Sequence, residues 1–316
     1  MKYLCFRVDY NHAVGGGHLQ RCLNIANSIK LNTKFIFFVE TNINYRKDIN
    51  KILKYHKIIF LDKFNPKKEL KIFKEIEKKY QDITYVFDIC NSEKIKKKSF
   101  FIKYINNISF LNKSFFIDGN KKESMIKYLK KVNFSGVISP YFVKKNFKKH
   151  YQGLKYFVFN PSNKKENVKK KKIKKLLISF GNSDPKNITE LVLKSLSLIK
   201  TKYYIDIIIG PMFKNKLIQN IKIITKNCKN HIFSIKKNIN NLSPFLINCD
   251  FAFVSCGLTK FEAILHKKPC MVIPLNYETE VMSKILRKKK LIFLTKNKDN
   301  LTIDDLTKKI NDVLKQ

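Results

Sequence analysis

The chain has 316 residues, 44% of them hydrophobic, and a formal net charge of +41 at pH 7. That length accommodates two domains with separate cores, and the apolar share is ordinary for a globular protein. Lysines are spread along the whole sequence among abundant Asn and Ile, while arginine is scarce; a nucleic-acid reader would cluster Arg and interleave exposed aromatics, so the charge is read as favouring small anionic ligands.

The first apolar run, residues 3–8, reads as a strand. It leads into Gly15-Gly16-Gly17-His18-Leu19-Gln20-Arg21-Cys22, and residues 19–29 follow with helical spacing. In a strand–glycine loop–helix unit, backbone N–H groups approach a ligand closely and the helix amino end adds positive potential. His18, in the first turn, then sits beside whatever anion or sugar the loop holds, and its pKa range suits a general base. The segment is not G-x-G-x-x-G, because Arg21 stands where a third glycine is needed, and no Gly-Lys-Ser/Thr makes it a P-loop. Alone, it also fits a plain strand–helix turn.

Further strands are expected at residues 34–39, 57–61, 84–89, 114–118 and 136–139, with helical runs at 45–55 and 67–80. Continuous apolar strands alternating with helices imply a parallel sheet covered on both faces. Asp88 and Asp118 end two of these strands and either bind sugar or cap the next element. Residues 161–172 carry proline, a lysine block and no apolar periodicity, which marks a linker between domains 1–160 and 173–316.

The second half restarts the alternation, with strands at 175–180, 203–209, 231–234, 250–254, 269–273 and 291–294. Helices are expected at 187–199, 214–226, 258–266 and 278–289, and at 302–314 with Thr302 as N-cap. The loop with Gly181, Asn182, Ser183, Asp184 and Asn187 offers a tight turn, hydrogen-bond donors and a helix cap; ligand binding and pure turn chemistry fit it equally. Ser255-Cys256-Gly257-Leu258-Thr259 follows a strand and opens a helix, so the N–H groups of Gly257, Leu258 and Thr259 face an anion. Glu262, one turn on, either accepts both hydroxyls of a ribose or is an exposed first-turn acid favoured by the helix dipole. Two such domains imply a cleft lined by loops at the carboxyl ends of the strands.

Seven cysteines form no C-x-x-C pair and mostly lie in apolar runs, as buried free thiols of a reducing compartment would. Arg7 and Asp9 interrupt any signal-peptide core, and no apolar stretch approaches about 18 residues. A cytoplasmic location without stable membrane insertion is expected.

Residues 7–22, 179–187 and 255–262, with Lys268-Pro269-Cys270-Met271-Val272-Ile273-Pro274, resemble the UDP-2,4-diacetamido-2,4,6-trideoxy-β-L-altropyranose hydrolases of pseudaminic acid biosynthesis. Their wider relatives are GT-B glycosyltransferases. The resemblance covers nearly the whole chain. It implies a GT-B fold of two Rossmann-like α/β domains facing a cleft, UDP held by the second domain and sugar by the first. It implies metal-independent, inverting hydrolysis of a UDP-sugar without a cofactor, in pseudaminic acid or surface polysaccharide synthesis, with His18 as base. A glycosyltransferase using a UDP-sugar donor is the alternative, with peripheral membrane contact if the acceptor is lipid-linked. A monomer is expected, and no nucleic-acid partner. Gly15, Gly16, Gly17, Arg21, Asp88 and Tyr156 fall on the sugar side. Gly181, Asn182, Ser183, Asp184, Asn187, Ser255, Gly257, Leu258, Thr259, Glu262 and Asn276 complete the implied substrate contacts. The chain departs from the family pattern at Asp88-Ile89-Cys90, which lacks a tyrosine, at residues 156–160, which lack an arginine, and at Asn276-Tyr277, which lacks a glutamine.

Overall fold

A computed structural model of the chain describes residues 1–12, 14–29, 32–61, 64–89, 98–118, 129, 131–139, 149–158, 173–237, 239 and 241–315. The chain divides into two compact units, Met1–Phe159 and Asn160–Gln316. The expected linker, residues 161–172, and Cys90 lie outside the described residues.

The first unit is a parallel sheet covered by helices. In chain order its elements are β1 (Lys2–Asp9), α1 (Gly17–Ser28), β2 (Thr33–Glu40), α2 (Arg46–Ile52), β3 (Lys57–Leu61), α3 (Pro66–Lys79) and β4 (Ile83–Asp88). Then come α4 (Lys98–Ser109), β5 (Lys113–Ile117), β6 (Gly136–Ser139) and β7 (His150–Gln152). The sheet order is β3-β2-β1-β4-β5-β6-β7. β1 is buried from Leu4 to Asp9, as the middle strand of a sheet covered on both faces must be. Helix starts follow local chemistry. Asn65 caps α3 by accepting from the Lys68 N–H at 3.1 Å, with Pro66 in the first turn, the position where its missing N–H costs nothing. Phe73 and Ile76 of α3 and Phe101 and Tyr104 of α4 pack under the sheet with Tyr85, Phe87 and Phe116. Each such buried side chain contributes about 1.5–3 kcal/mol.

A cluster of charged groups centred on Arg7 lies inside this core. Arg7 is 1% exposed. Its guanidinium meets Glu69 through Nε at 2.8 Å and Nη2 at 2.9 Å, and it also pairs with Asp9 and Glu40. Tyr104 donates to Glu69 at 2.6 Å. Burial alone would discharge Arg7, but Glu69 and Asp9 outweigh it and hold the side chain firmly charged.

The second unit runs β8 (Lys175–Ser179), α5 (Ile188–Ser197), β9 (Tyr204–Ile209), α6 (Asn215–Asn227), β10 (Ile232–Lys237), α7 (Ser243–Asn248) and β11 (Phe251–Ser255). It continues with α8 (Thr259–Leu265), β12 (Cys270–Ile273), α9 (Tyr277–Lys288), β13 (Phe293–Leu294) and α10 (Ile303–Leu314). Its sheet order is β10-β9-β8-β11-β12-β13, again parallel throughout. Thr302 caps α10 by accepting from the Asp305 N–H at 3.1 Å, and Leu306, Ile310, Val313 and Leu314 form its buried face.

Strand β7 and helix α7 go beyond the elements expected from sequence. β7 has three residues, and α7 is one short helix opened by Ser243-Pro244; neither is long enough to show a period. Cys5, Cys22, Cys249 and Cys270 are buried free thiols, and burial pushes Cys5, Cys249 and Cys270 up to about 12. No described helix is long and apolar enough to cross a membrane.

Candidate active site

In each sheet the strand order reverses at one place, between β1 and β4 in the first unit and between β8 and β11 in the second. Connections leave these strands toward opposite faces, so the backbone parts beyond the strand ends and leaves a crevice there. The loops singled out in the sequence follow three of these four strands, and Asp88 ends the fourth.

At the first switch point, Gly15 has φ +73° and its N–H donates to Asn11 O at 2.7 Å. Asn11 also accepts from the Val14 N–H through its side chain at 3.0 Å. This tight turn delivers Gly16 as the cap of α1, with no side-chain cap bond and no acid in the first turn. His18 and Arg21, three apart on α1, share a helix face and converge on Asp88. His18 Nδ1 lies 2.6 Å from Asp88 Oδ1. Arg21 forks the same carboxylate, Nε to Oδ2 at 2.7 Å and Nη2 to Oδ1 at 2.6 Å.

Asp88 is fully buried and Arg21 is 5% exposed, while the His18 side chain keeps 18% exposure. Burial alone would raise the Asp88 pKa; Arg21 and His18 more than offset it and hold the carboxyl below its ordinary value. An ionised carboxylate only accepts, so the shared proton belongs to Nδ1, and in the neutral tautomer of this geometry the lone pair sits on Nε2. That is the arrangement of a base oriented by an acid. Cys22 Sγ, 3.8 Å from Asp88 Oδ2, is pushed well up by burial and then by Asp88, so it is a poor nucleophile. Tyr156 does not join this group. It packs edge-on against Tyr151 of β7, ring centroids 5.7 Å apart, at the edge of the sheet.

At the second switch point, Gly181 takes φ +78°, and Asn182 O accepts from the Met212 N–H at 2.9 Å. Gly210 touches this loop so closely that a Cβ there would lie 2.5 Å from Asn182 Cα and from Gly181 O. Ser183 is buried. Asp184, with φ +37°, accepts from the N–H of Ile188 and of Thr189, both at 2.8 Å. Both of its oxygens therefore cap α5. Asn187 is left-handed, φ +53°, and makes no side-chain cap bond.

In the loop after β11, Ser255 Oγ accepts from the exposed Gly257 N–H at 3.3 Å, and Leu258 opens α8 without a side-chain cap bond. Thr259 is buried. Glu262 is half-buried, and its carboxylate has no hydrogen-bond or ion-pair partner among the described residues. Burial pushes its pKa up to about 7. Asn276 is occupied elsewhere: it accepts from the Thr279 N–H at 3.0 Å while Thr279 Oγ1 accepts from the Asn276 N–H at 3.1 Å. This capping box opens α9.

Lys260 and Gly210 were not singled out from sequence. Lys260 is 2% exposed, with Nζ 3.3 Å from Ser283 Oγ. A lysine in an exposed-looking helix start gives no sequence signal of burial. Gly210 does: it ends the apolar run 207–209 and precedes Pro211, a mark of a tight loop.

Acinetobacter baumannii MurG superposes with a TM-score of 0.65 at 10% identity, over 99% of this chain and 91% of that one. The fold is GT-B. A UDP-glucosyltransferase from Polygonum tinctorium matches at TM-score 0.62 and 11% identity, over 99% and 90% of the two chains. UGT2 of Phytolacca americana, solved with UDP-2-fluoro-glucose and pterostilbene, matches at 0.61 and 12%, over 99% and 90%. Among curated sequences, the uncharacterized protein MJ1062 of Methanocaldococcus jannaschii is 28% identical over 310 residues. The match covers 94% of this chain and 60% of that protein, so the chain spans about 60% of its relative's length. No family model matches the sequence.

Proposed function

We propose that this GT-B chain transfers a sugar from a UDP-sugar donor to a hydroxyl acceptor, with His18 as general base. The observation that carries the reading is the His18–Asp88 pair at a switch point, backed by Arg21. Nε2 takes the acceptor proton, the acceptor oxygen attacks the anomeric carbon, and the bond from that carbon to the diphosphate oxygen breaks. UDP leaves with the electron pair, and a single displacement inverts the anomeric centre. A diphosphate is a good leaving group, so this chemistry asks for no general acid.

In this reading the second unit holds the nucleotide. The Leu258 N–H, joined by the Gly257 N–H once it leaves Ser255 Oγ, meets the diphosphate. Glu262, a carboxylate without a partner among the described residues, accepts from the ribose hydroxyls. Gly181, Asn182 and Ser183 line the same strand ends, whereas Asp184 and Asn276 support the helices that carry the site. That the fold neighbours include glycosyltransferases, one solved with a UDP-sugar analogue, supports the donor class.

A second reading has water as acceptor, with hydrolysis of a UDP-diacetamido-trideoxy sugar in nonulosonic acid synthesis. The Gly17-His18-x-x-Arg21 segment, which carries the resemblance to such hydrolases, favours it. Product analysis with and without a sugar or alcohol acceptor separates the two. Acceptor-dependent UDP release supports transfer, and stoichiometric free sugar without acceptor supports hydrolysis. No UDP binding by the chain would overturn both.

A further inference from the structure

The reaction as drawn uses His18 and Asp88 but leaves Arg21 without a task. Arg21 was expected on the substrate side. Its geometry is different: Nε and Nη2 are both committed to Asp88, at 2.7 and 2.6 Å, and the side chain is 5% exposed. Nη2 also lies 3.5 Å from His18 Nδ1. One oxygen, Oδ1, thus receives both His18 and Arg21, while Oδ2 is held by Arg21 alone among these two.

We propose that Arg21 is a positioning residue that balances the charge of buried Asp88, so that His18 stays a neutral base with its proton on Nδ1 and its lone pair on Nε2. This rests on reading His18 as the base.

The physical reason is the cost of an uncompensated buried carboxylate. With Arg21 in place, Asp88 already has its cation, and a second positive charge on His18 would meet the guanidinium beside it. Without Arg21, Asp88 draws its counter-charge from His18, which becomes an imidazolium and can no longer accept a proton. Among the described residues, the titratable groups at these strand ends include Cys22 on α1, His12 in the loop before it, Asp9 on β1 and Asp118 after β5. Cys22 stays a neutral thiol, and Asp9 is paired with Arg7. The fork also fixes the carboxylate plane, which an ammonium cannot do.

The test is an NMR titration of the His18 imidazole in the wild type, Arg21→Gln and Arg21→Lys, alongside kcat and KM against pH. The expected result in Arg21→Gln is a His18 pKa raised by about one unit or more. The acid limb of kcat then moves to higher pH, and turnover at pH 7 falls by up to about tenfold for each unit the pKa rises, with donor KM unchanged. Arg21→Lys, which keeps the charge and loses the fork, restores the His18 titration but only part of kcat. An unchanged His18 titration in both variants would overturn the proposal. So would a rise in donor KM with the pH limb in place, which would make Arg21 a substrate contact. The titration reads the clamp whether or not a turnover assay succeeds, so failure of the proposed reaction is seen separately. If Arg21→Gln does not fold, Arg21→Lys decides through kcat, which should fall with donor KM unchanged; wild-type turnover or a raised donor KM would overturn the proposal.

Discussion

His18 and Asp88 stand 70 residues apart in sequence, and Nδ1 of one lies 2.6 Å from Oδ1 of the other. The helix that carries His18 starts at a glycine turn, and the carboxylate ends the neighbouring strand. Asp88→Asn removes the acceptor that fixes the tautomer and presents an amide to Arg21. Turnover should fall by about 10²–10⁴-fold while UDP affinity, measured calorimetrically, stays within error. A matched loss of UDP binding would place Asp88 in the nucleotide site instead.

Glu262 gives a pH prediction. Its pKa is raised to about 7 by burial, so the folded state holds a proton there that the unfolded chain gives up near its ordinary value. The penalty on the unliganded fold is absent below that ordinary value and complete above about pH 7. Glu262→Gln should therefore raise the melting temperature at pH 8 and leave it nearly unchanged at pH 4. UDP affinity should grow as pH rises through 7, where the carboxylate becomes a full acceptor, and this rise should vanish in Glu262→Gln.

Gly210 is predicted to tolerate no side chain. Its added Cβ would meet backbone rather than a flexible side-chain tip, so Gly210→Ala must move the Gly181–Asn182 loop. We expect a stability loss of about 1–3 kcal/mol in denaturant unfolding, together with weaker UDP binding. Asp184→Ala, which leaves the N–H groups of Ile188 and Thr189 without their acceptor, should cost about 0.5–2 kcal/mol by the same measurement.

Arg7 is expected to be costly to truncate. Arg7→Met leaves Glu69 and Asp9 buried without their cation, a loss of about 3–5 kcal/mol. Thermal unfolding followed by circular dichroism checks it; a change under about 1 kcal/mol would mean that the carboxylates find other partners.

Much of this architecture was legible because parallel strands buried on both faces announce themselves as unbroken apolar runs. Residues 175–180 and 250–254 needed no context to be read as central strands, and the Gly15–Gly17 and Ser255–Gly257 turns stood out against a glycine-poor chain. The partner relationships were less legible. Asp88 could be read as a strand-end acid, yet nothing in a linear pattern says that a helix 70 residues earlier aims both His18 and Arg21 at it. Asp184 and Asn276 carry the same donors and acceptors whether they bind a ligand or cap a helix. Only the positions of Ile188, Thr189 and Thr279 N–H groups give them to α5 and α9. Arg7 sat in an apolar run as an apparent exception, and its burial became intelligible only with Glu69 and Tyr104 beneath it.

UDP release from a panel of UDP-sugars is the direct measure of His18 acting as a base on a UDP-sugar. The assay compares wild type with His18→Ala, in EDTA, with and without hydroxyl acceptors. The account predicts EDTA-resistant release that falls about 10²-fold or more in His18→Ala, while both proteins bind UDP equally. Release at equal rates from the two proteins would contradict it.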